Sequence, residues 1–131
     1  MNVRCLIVDD SRRFLDAARG LLERQGLSVV GEASTGAEAL RLAAELQPDV
    51  TLVDIDLGGE SGFEVARRLS QQAATTASRM ILISTHAEED YAELIAASPA
   101  IGFVSKSELS GGAIRVLLGS QGDRGPSAPV S

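Results

Sequence analysis

The sequence predicts an α/β domain in which a five-stranded parallel sheet is doubly wound with five helices. Five short apolar runs alternate along the chain with stretches whose apolar residues recur at helical spacing. The runs are apolar throughout, which is typical of parallel strands that are buried on both faces. A chain of 131 residues with 44% hydrophobic residues is large enough for one such domain and its core.

The first two strands are predicted over residues 3–8 and 27–30. Cys5 lies inside the first apolar run, and we interpret this lone cysteine as a small buried hydrophobic residue. A helix is predicted between the two strands and ends at Gly26. Its apolar face comprises Phe14, Ala18, Leu21 and Leu22.

The second helix should begin at a capping box formed by Thr35 and Glu38 and end before Pro48. Its predicted buried stripe is Leu40, Ala43 and Leu46. The third strand follows over residues 50–55. A glycine-rich loop over residues 57–60 then leads to a second capping box, which begins a helix whose predicted inward residues are Phe63, Ala66 and Leu69.

The fourth and fifth strands are predicted over residues 80–84 and 101–105. The helix between them should end near Ala97. Acidic side chains favour the first turn of a helix, and here they are Glu88, Glu89 and Asp90. The last helix, over residues 109–118, is the weakest pattern because it contains two glycines. We therefore expect a domain over residues 1–118 and a disordered tail or truncated linker over 119–131.

The formal net charge of −6 argues against direct binding of nucleic acid or of an anionic membrane surface by this chain. The N-terminus has no signal-peptide pattern, and no apolar run approaches the roughly 18 residues needed to span a bilayer. We therefore expect a cytoplasmic location. An acidic cleft that takes a metal cation fits the charge better.

Polar residues stand where the predicted strands end. In a doubly wound fold the functional site lies at the carboxyl ends of the strands. These positions hold three carboxylates, a hydroxyl and an ammonium group, supplied by Asp9, Asp10, Asp54, Ser84 and Lys106. Clustered carboxylates repel one another unless a cation intervenes, and Mg²⁺ prefers oxygen ligands of this kind. A carboxylate can also act as a nucleophile toward phosphorus.

Each of these residues also has a structural interpretation. Asp9 and Asp10 could form a strand-end turn in which Asp10 caps the first helix, Ser84 could be a structural hydroxyl, and Lys106 could be a solvated loop end. Asp54 is harder to explain in this way, because a charge flanked by buried positions is costly without a partner. The co-location at four strand ends favours a function.

Four motifs in this order make the chain similar to the receiver domains of two-component response regulators. They are Val8-Asp9-Asp10-Ser11, Val53-Asp54-Ile55-Asp56, Ile83-Ser84-Thr85 and Val104-Ser105-Lys106. The resemblance covers about residues 2–118 and implies the flavodoxin-like fold of that family.

The resemblance implies a role for each site residue. Asp54 is the expected phosphoacceptor, and Mg²⁺ is expected on Asp9, Asp10, Asp54 and the backbone carbonyl of Asp56. Ser84 and Lys106 are expected to contact the phosphoryl group. Phe103 matches the aromatic switch position, with plain core packing as the alternative. Asp56 and His86 are hypothesised to set the dephosphorylation rate, although His86 could merely begin the fourth helix.

The resemblance also implies partners. A sensor histidine kinase or phosphotransfer protein is the expected donor, and the chain is expected to catalyse only its own phosphorylation and dephosphorylation. The expected output is a partner protein, a missing C-terminal effector domain or a phosphorylation-dependent homodimer. In this family the output partner usually contacts the face formed by the fourth helix, fifth strand and fifth helix.

The chain departs from the family pattern at several positions. Gly58 and Ser107 stand where proline is common, so the loop after Asp54 is expected to be more mobile and the isomer of the Lys106–Ser107 peptide bond is open. Ser84 stands where threonine is commoner. The glycines of the fifth helix put the usual output face in question.

Three other functions are compatible with parts of the pattern. Asp54-Ile55-Asp56 has the form found in haloacid-dehalogenase-type phosphatases, although there it ends the first strand of a longer chain. A receiver-like module that does not rely on phosphorylation would not need the complete acidic site. A flavodoxin-like cofactor binder would need a phosphate-binding glycine loop after the first strand, where the acidic pair stands instead.

Overall fold

The computed structural model describes residues 2–72 and 79–127, and over residues 120–127 it describes the backbone alone. Within these ranges lies one parallel sheet with strand order β2-β1-β3-β4-β5. The strands are β1 (Arg4–Val8), β2 (Ser28–Ala33), β3 (Val50–Asp54), β4 (Arg79–Ser84) and β5 (Gly102–Ser105). The predicted doubly wound α/β fold is confirmed.

A helix follows each strand. The helices are α1 (Arg12–Arg24), α2 (Gly36–Leu46), α3 (Gly62–Gln71), α4 (Ala92–Ala97) and α5 (Gly111–Ser127). A 3₁₀ turn over Glu88–Tyr91 precedes α4, and another over Lys106–Glu108 follows β5. The acidic residues expected in the first turn of the fourth helix therefore lie in this 3₁₀ turn. None of the described helices has the length and hydropathy that a bilayer crossing requires.

The sheet separates two apolar layers. Successive side chains of a strand point to opposite faces, so Cys5 and Ile7 pack with α1 and α5 whereas Leu6 and Val8 pack with α2 and α3. Cys5 is fully buried, as predicted, and burial raises the pKa of its thiol to about 12. Both faces of β1 and β3 are covered, which explains why their sequences are apolar without alternation.

The two helix starts predicted from capping boxes, those of α2 and α3, are correct in position, but their side-chain contacts differ from a full capping box. Thr35 Oγ1 accepts a hydrogen bond from the Glu38 amide, as expected. Glu38 binds Ser34 rather than Thr35, and the Ser34 backbone hydrogen bond lowers the pKa of Glu38. Ser61 caps α3 in the same way, whereas Glu64 pairs with arginines of its own helix.

Several boundaries and buried faces differ from the sequence-based expectation. Leu15 is buried on α1 while Phe14 is half-buried. On α2 the predicted Ala43 is buried, but Ala39 is buried in place of the expected Leu40, which is half-buried. The last helix begins at Gly111 and continues past Leu118 to Ser127. The tail predicted over 119–131 is therefore helical in backbone as far as residue 127, and residues 128–131 lie outside the described residues.

Candidate functional site

The site lies where the sheet order reverses, at the carboxyl ends of β1, β3, β4 and β5. Asp9 directly follows β1, and Asp54 is the last residue of β3. Ser84 is the last residue of β4, and Lys106 directly follows β5. Parallel pairing brings these strand ends to one edge of the sheet, so residues up to 97 positions apart in sequence meet there.

Lys106 joins the two buried carboxylates. Its Nζ lies 2.6 Å from Asp9 Oδ2 and 3.0 Å from Asp54 Oδ2, and it lies 4.3 Å from the centroid of the Phe14 ring. Burial alone would lower the pKa of Lys106, but the hydrogen bonds and charges of Asp9 and Asp54 outweigh it and raise that pKa above its ordinary value. Lys106 is therefore held as a cation between the two acids.

Asp54 is buried but not isolated. Burial raises the pKa of its carboxyl group and the charge of Asp9 adds to this effect, while hydrogen bonds from the Asp56 amide and Lys106 oppose it. The Asp56 amide donates to Asp54 Oδ1 at 3.1 Å, and Lys106 contacts the other oxygen. Both oxygens thus have a fixed partner, and the carboxylate is oriented toward the sheet edge.

The acidic cluster has a composition suited to a metal ion. Asp9, Asp10 and Asp54 each place a carboxylate oxygen within 4.8 Å of the others. Asp9 Oδ1 accepts a hydrogen bond from the Ser11 amide. Asp9 Oδ2 lies close to the Lys106 ammonium group, but among the buried side-chain oxygens of the described residues it is the one without a hydrogen bond of good geometry. A buried carboxylate oxygen that has only an ion pair and stands beside two other carboxylates fits a hard divalent cation such as Mg²⁺.

Asp10 does not cap the first helix. Ser11 is the N-cap of α1, and its side chain accepts a hydrogen bond from the Phe14 amide. Asp10 is exposed at the edge of the cluster, where its carboxylate remains free to face an ion. The structural alternative considered for Asp10 from the sequence is therefore wrong.

Ser84 is buried at the end of β4, and its hydroxyl faces His86. Ser84 Oγ accepts a hydrogen bond from the His86 amide at 2.9 Å and lies 3.3 Å from His86 Nδ1. The His86 ring stands edge-on to Tyr91, with 5.7 Å between the ring centroids. His86 does not begin the fourth helix, because the turn over Glu88–Tyr91 begins after Ala87.

Phe103 lies on β5 and is half-buried against the apolar layer that contains α2 and α3. A cavity of about 310 Å³ adjoins its ring. The cavity is lined by Ala87, Glu88, Glu89, Phe103, Ser105 and Glu108. The ring therefore has both a packing role and open space beside it.

Backbone geometry fixes the loop after Asp54. Gly58 has a φ of +79°, and a Cβ added there would lie 3.0 Å from Asp10 Oδ2. Gly62 begins α3 so close to β3 that an added Cβ would lie 1.9 Å from the carbonyl oxygen of Asp54. Sequence reasoning did not find Gly62, since a glycine after a helix cap is an ambiguous signal. The Lys106–Ser107 peptide bond is trans.

Comparison with known proteins identifies the family. The family model for the response regulator receiver domain matches residues 5–113. The chain therefore belongs to the receiver domains of two-component response regulators. This finding confirms the resemblance inferred from the four sequence motifs.

Individual relatives agree with this assignment. A putative transcriptional regulator of Pseudomonas aeruginosa is 38% identical over 105 residues, which are 80% of this chain and 50% of that protein. Protein PilH of the same organism is 37% identical over 66% of this chain and 70% of its own length. The chain thus spans about half the length of some curated relatives.

Solved structures show the same fold. The signal receiver domain of the putative response regulator NarL from Mycobacterium tuberculosis has a TM-score of 0.76 and 30% identity, covering 90% of this chain and 98% of that one. A LuxR-family response regulator from Aurantimonas has a TM-score of 0.79 and 31% identity, covering 91% of this chain and 87% of that one.

Proposed function

We propose that the chain accepts a phosphoryl group on Asp54 in a Mg²⁺-dependent reaction and switches an output with it. The observation that carries the proposal is the convergence of the acidic cluster with Lys106. The cluster can neutralise itself by taking a cation, and Lys106 already contacts an oxygen of Asp54. Such an arrangement neutralises charge on a transferring phosphoryl group.

In the proposed reaction a carboxylate oxygen of Asp54 attacks the phosphorus of a phosphohistidine. The phosphorus–oxygen bond forms, the phosphorus–nitrogen bond breaks, and the leaving imidazole takes a proton. Lys106 keeps its positive charge throughout, because its pKa is raised by the two acids. Water later hydrolyses the acyl phosphate to inorganic phosphate and restores the carboxylate. The chain acts on itself and turns over no separate substrate.

The residues of the site fit a magnesium ion. Asp9, Asp10 and Asp54 would hold it through carboxylate oxygens, and the backbone carbonyl of Asp56 is the proposed fourth protein ligand. When bound, Mg²⁺ would neutralise negative charge on the phosphoryl oxygens. Asp9 Oδ2, which is ion-paired with Lys106 but has no hydrogen bond of good geometry, would gain a ligand bond from such an ion.

Ser84 and Phe103 are the proposed switch. Ser84 is buried beside Asp54 at the adjoining strand end, where its hydroxyl could donate to a phosphoryl oxygen. That movement would exchange the present contact with His86 for one with the phosphoryl group. The cavity beside Phe103 gives the ring space to follow. Phosphorylation would thus bias an equilibrium between two arrangements.

Asp56 and His86 are proposed to tune the lifetime of the phosphoryl group. Both are exposed at the rim of the site. Asp56 Oδ1 accepts a hydrogen bond from the Gly58 amide, and the His86 ring contacts Ser84. We expect Asp56→Ala and His86→Ala each to change the hydrolysis half-life of the acyl phosphate severalfold. Half-lives equal to that of the wild type would refute this role.

The proposed partners follow from the family. The donor is a sensor histidine kinase or a phosphotransfer protein, and the output is a protein partner, an effector domain or a second copy of the chain. Among the described side chains, the large apolar ones that are exposed are Leu94 on α4 and Val116 on α5. Leu94 adjoins Phe63 and Arg67 of α3 rather than α5, so output through the face formed by α4, β5 and α5 is proposed from the family alone. We propose a cytoplasmic site of action.

The test is an intact-mass assay with acetyl phosphate on the wild type and on Asp54→Asn, with and without Mg²⁺. We expect one phosphoryl adduct that requires both Mg²⁺ and Asp54. A folded wild type that gains no adduct would refute the proposal and favour a module that binds its partner without phosphorylation.

A further inference from the structure

The loop that joins Asp54 to α3 is tied to α2 by a single carboxylate. Glu60 Oε1 accepts a hydrogen bond from the Gly36 amide at 2.8 Å. Gly36 is the first residue of α2, where the amide groups have no acceptor within the helix. The site mechanism described above makes no use of this contact.

The loop is closed by hydrogen bonds between its own residues, so a contact made by the Glu60 side chain restrains the whole loop. The Leu57 amide donates to the Glu60 carbonyl, Asp56 pairs with Ser61 in an antiparallel bridge, and the Gly62 amide donates to the Ile55 carbonyl. Residues 55–62 are thus one closed unit. The first residues of the unit are held to the sheet, because the Ile55 amide donates to the Ile83 carbonyl and Ile55 and Leu57 are buried. Glu60 adds the hydrogen bond that holds the outer part of the unit against α2.

The fit between Glu60 and α2 is tight. A Cβ added at Gly36 would lie 2.4 Å from Glu60 Oε2 and 2.9 Å from a methyl group of Val65. The glycine therefore lets the carboxylate reach the helix start. A negative charge there is also favoured by the positive end of the helix dipole.

The same loop carries groups of the metal site. The Asp56 amide orients Asp54, the Asp56 carbonyl is a proposed ligand, and Gly58 lies beneath the carboxylate of Asp10. A shift of the loop would therefore change the spacing of the ligands. This follows because residues that hold ligands in place contribute to the affinity for the metal.

The geometry points to Glu60 as a positioning residue for the metal site. Its hydrogen bond to the start of α2 holds the loop over residues 55–62 in the position that Mg²⁺ binding needs. The inference rests on the proposed function, since it assigns a determinant of ion affinity at the proposed site. The positioning role depends on the length of the Glu60 side chain, which lets an oxygen reach the Gly36 amide, rather than on its charge. That distinction separates it from simple attraction between an acid and a cation.

The test measures Mg²⁺ affinity by isothermal titration calorimetry. Glu60→Gln removes the charge but keeps an oxygen at the same reach, so we expect a dissociation constant within about twofold of the wild type. Glu60→Ala and Glu60→Asp lose the reach, and Asp keeps the charge. Outer partners of metal ligands are worth roughly 10- to 100-fold, and we expect at least about threefold weaker binding for these two variants because Glu60 acts one step further out. Glu64→Ala is the control, because it removes a nearby carboxylate on α3 that pairs with Arg67 and Arg68 and makes no contact with the start of α2.

A second measurement separates positioning from stability. Labelling by acetyl phosphate should be slower in Glu60→Asp at low Mg²⁺ and should recover at saturating Mg²⁺. Because Mg²⁺ bound to the folded state would also rescue a merely unstable variant, urea denaturation without Mg²⁺ has to show that Glu60→Asp is fully folded under the assay conditions. If Glu60→Asp binds Mg²⁺ like the wild type, or if Glu60→Gln loses affinity while Glu60→Asp keeps it, the inference is wrong. A folded wild type that binds no Mg²⁺ would overturn the proposed function as well.

Discussion

Replacing Gly62 with alanine tests how closely α3 is packed against β3, the strand that ends at Asp54. The added Cβ would lie 1.9 Å from the Asp54 carbonyl oxygen, 2.7 Å from the Asp54 carbonyl carbon and 2.6 Å from Ile55 Cα. These are backbone atoms, so no side-chain rotation relieves the overlap. The start of α3 or the end of β3 has to move by about 1 Å, which is an overpacking defect.

The expected loss of stability combines three effects. Overpacking costs about 1–3 kcal/mol, and the hydrogen bond from the Gly62 amide to the Ile55 carbonyl, 2.8 Å long, contributes about 1 kcal/mol. Alanine is the better helix former by up to about 1 kcal/mol, which offsets part of the loss. We expect a decrease of about 2–3 kcal/mol in the free energy of unfolding, measured by urea denaturation.

The same displacement should affect the chemistry. The atoms that collide belong to Asp54 itself, and a misplacement of about 1 Å can lower a rate by on the order of 100-fold. We expect labelling by acetyl phosphate to slow by about 10- to 100-fold in folded Gly62→Ala. Gly59→Ala is the control, because a Cβ there meets nothing within 4 Å. Equal stability and equal labelling in the two variants would refute the packing argument.

Three further predictions follow from individual contacts. Asp54→Asn should be more stable than the wild type at pH 7 without Mg²⁺, because the pKa of Asp54 is raised in the folded protein. The difference in unfolding free energy should shrink as the pH falls through the raised pKa toward 3.8, the ordinary value. Urea denaturation that shows the same difference at every pH would contradict this prediction. A double-mutant cycle of Phe14→Leu and Lys106→Met should give a coupling of about 0.5–2 kcal/mol, and a coupling near zero would exclude a cation–π contribution. Cys5, with a pKa of about 12, should resist iodoacetamide at pH 8 until the protein is unfolded, and mass spectrometry of the alkylated protein checks this.

The sequence predicted the parts of the molecule that depend on local pattern. Strands buried on both faces have apolar runs, and the residue that ends each run is visible in the sequence. The rule that places sites at the carboxyl ends of parallel strands then brought Asp9, Asp54 and Lys106 together without coordinates. The structure places them within hydrogen-bonding distance of one another through the ammonium group.

Features that depend on distance between elements could not be predicted. Glu60 and Gly36 are 24 residues apart and follow different strands, so nothing local indicates their contact. The extension of α5 to Ser127 contradicts the local preference, because glycines and a proline lie within the assigned helix. The helical spacing predicts Phe14 in the core, but its ring is half-buried and lies beside Lys106, a neighbour that local spacing does not indicate.

The resting site is organised around a competition for Asp9. Its Oδ2 lies 2.6 Å from Lys106 but lacks a hydrogen bond of good geometry, whereas Lys106 has a well-formed hydrogen bond to Asp54. If the site acts as proposed, a divalent ion at the cluster would take over the charge of Asp9 and leave Lys106 paired with Asp54. Lys106 and the ion would then each have a different acid as the main partner. The proposed site would hold both cations at once because only one of the two contacts of Lys106 has good hydrogen-bond geometry.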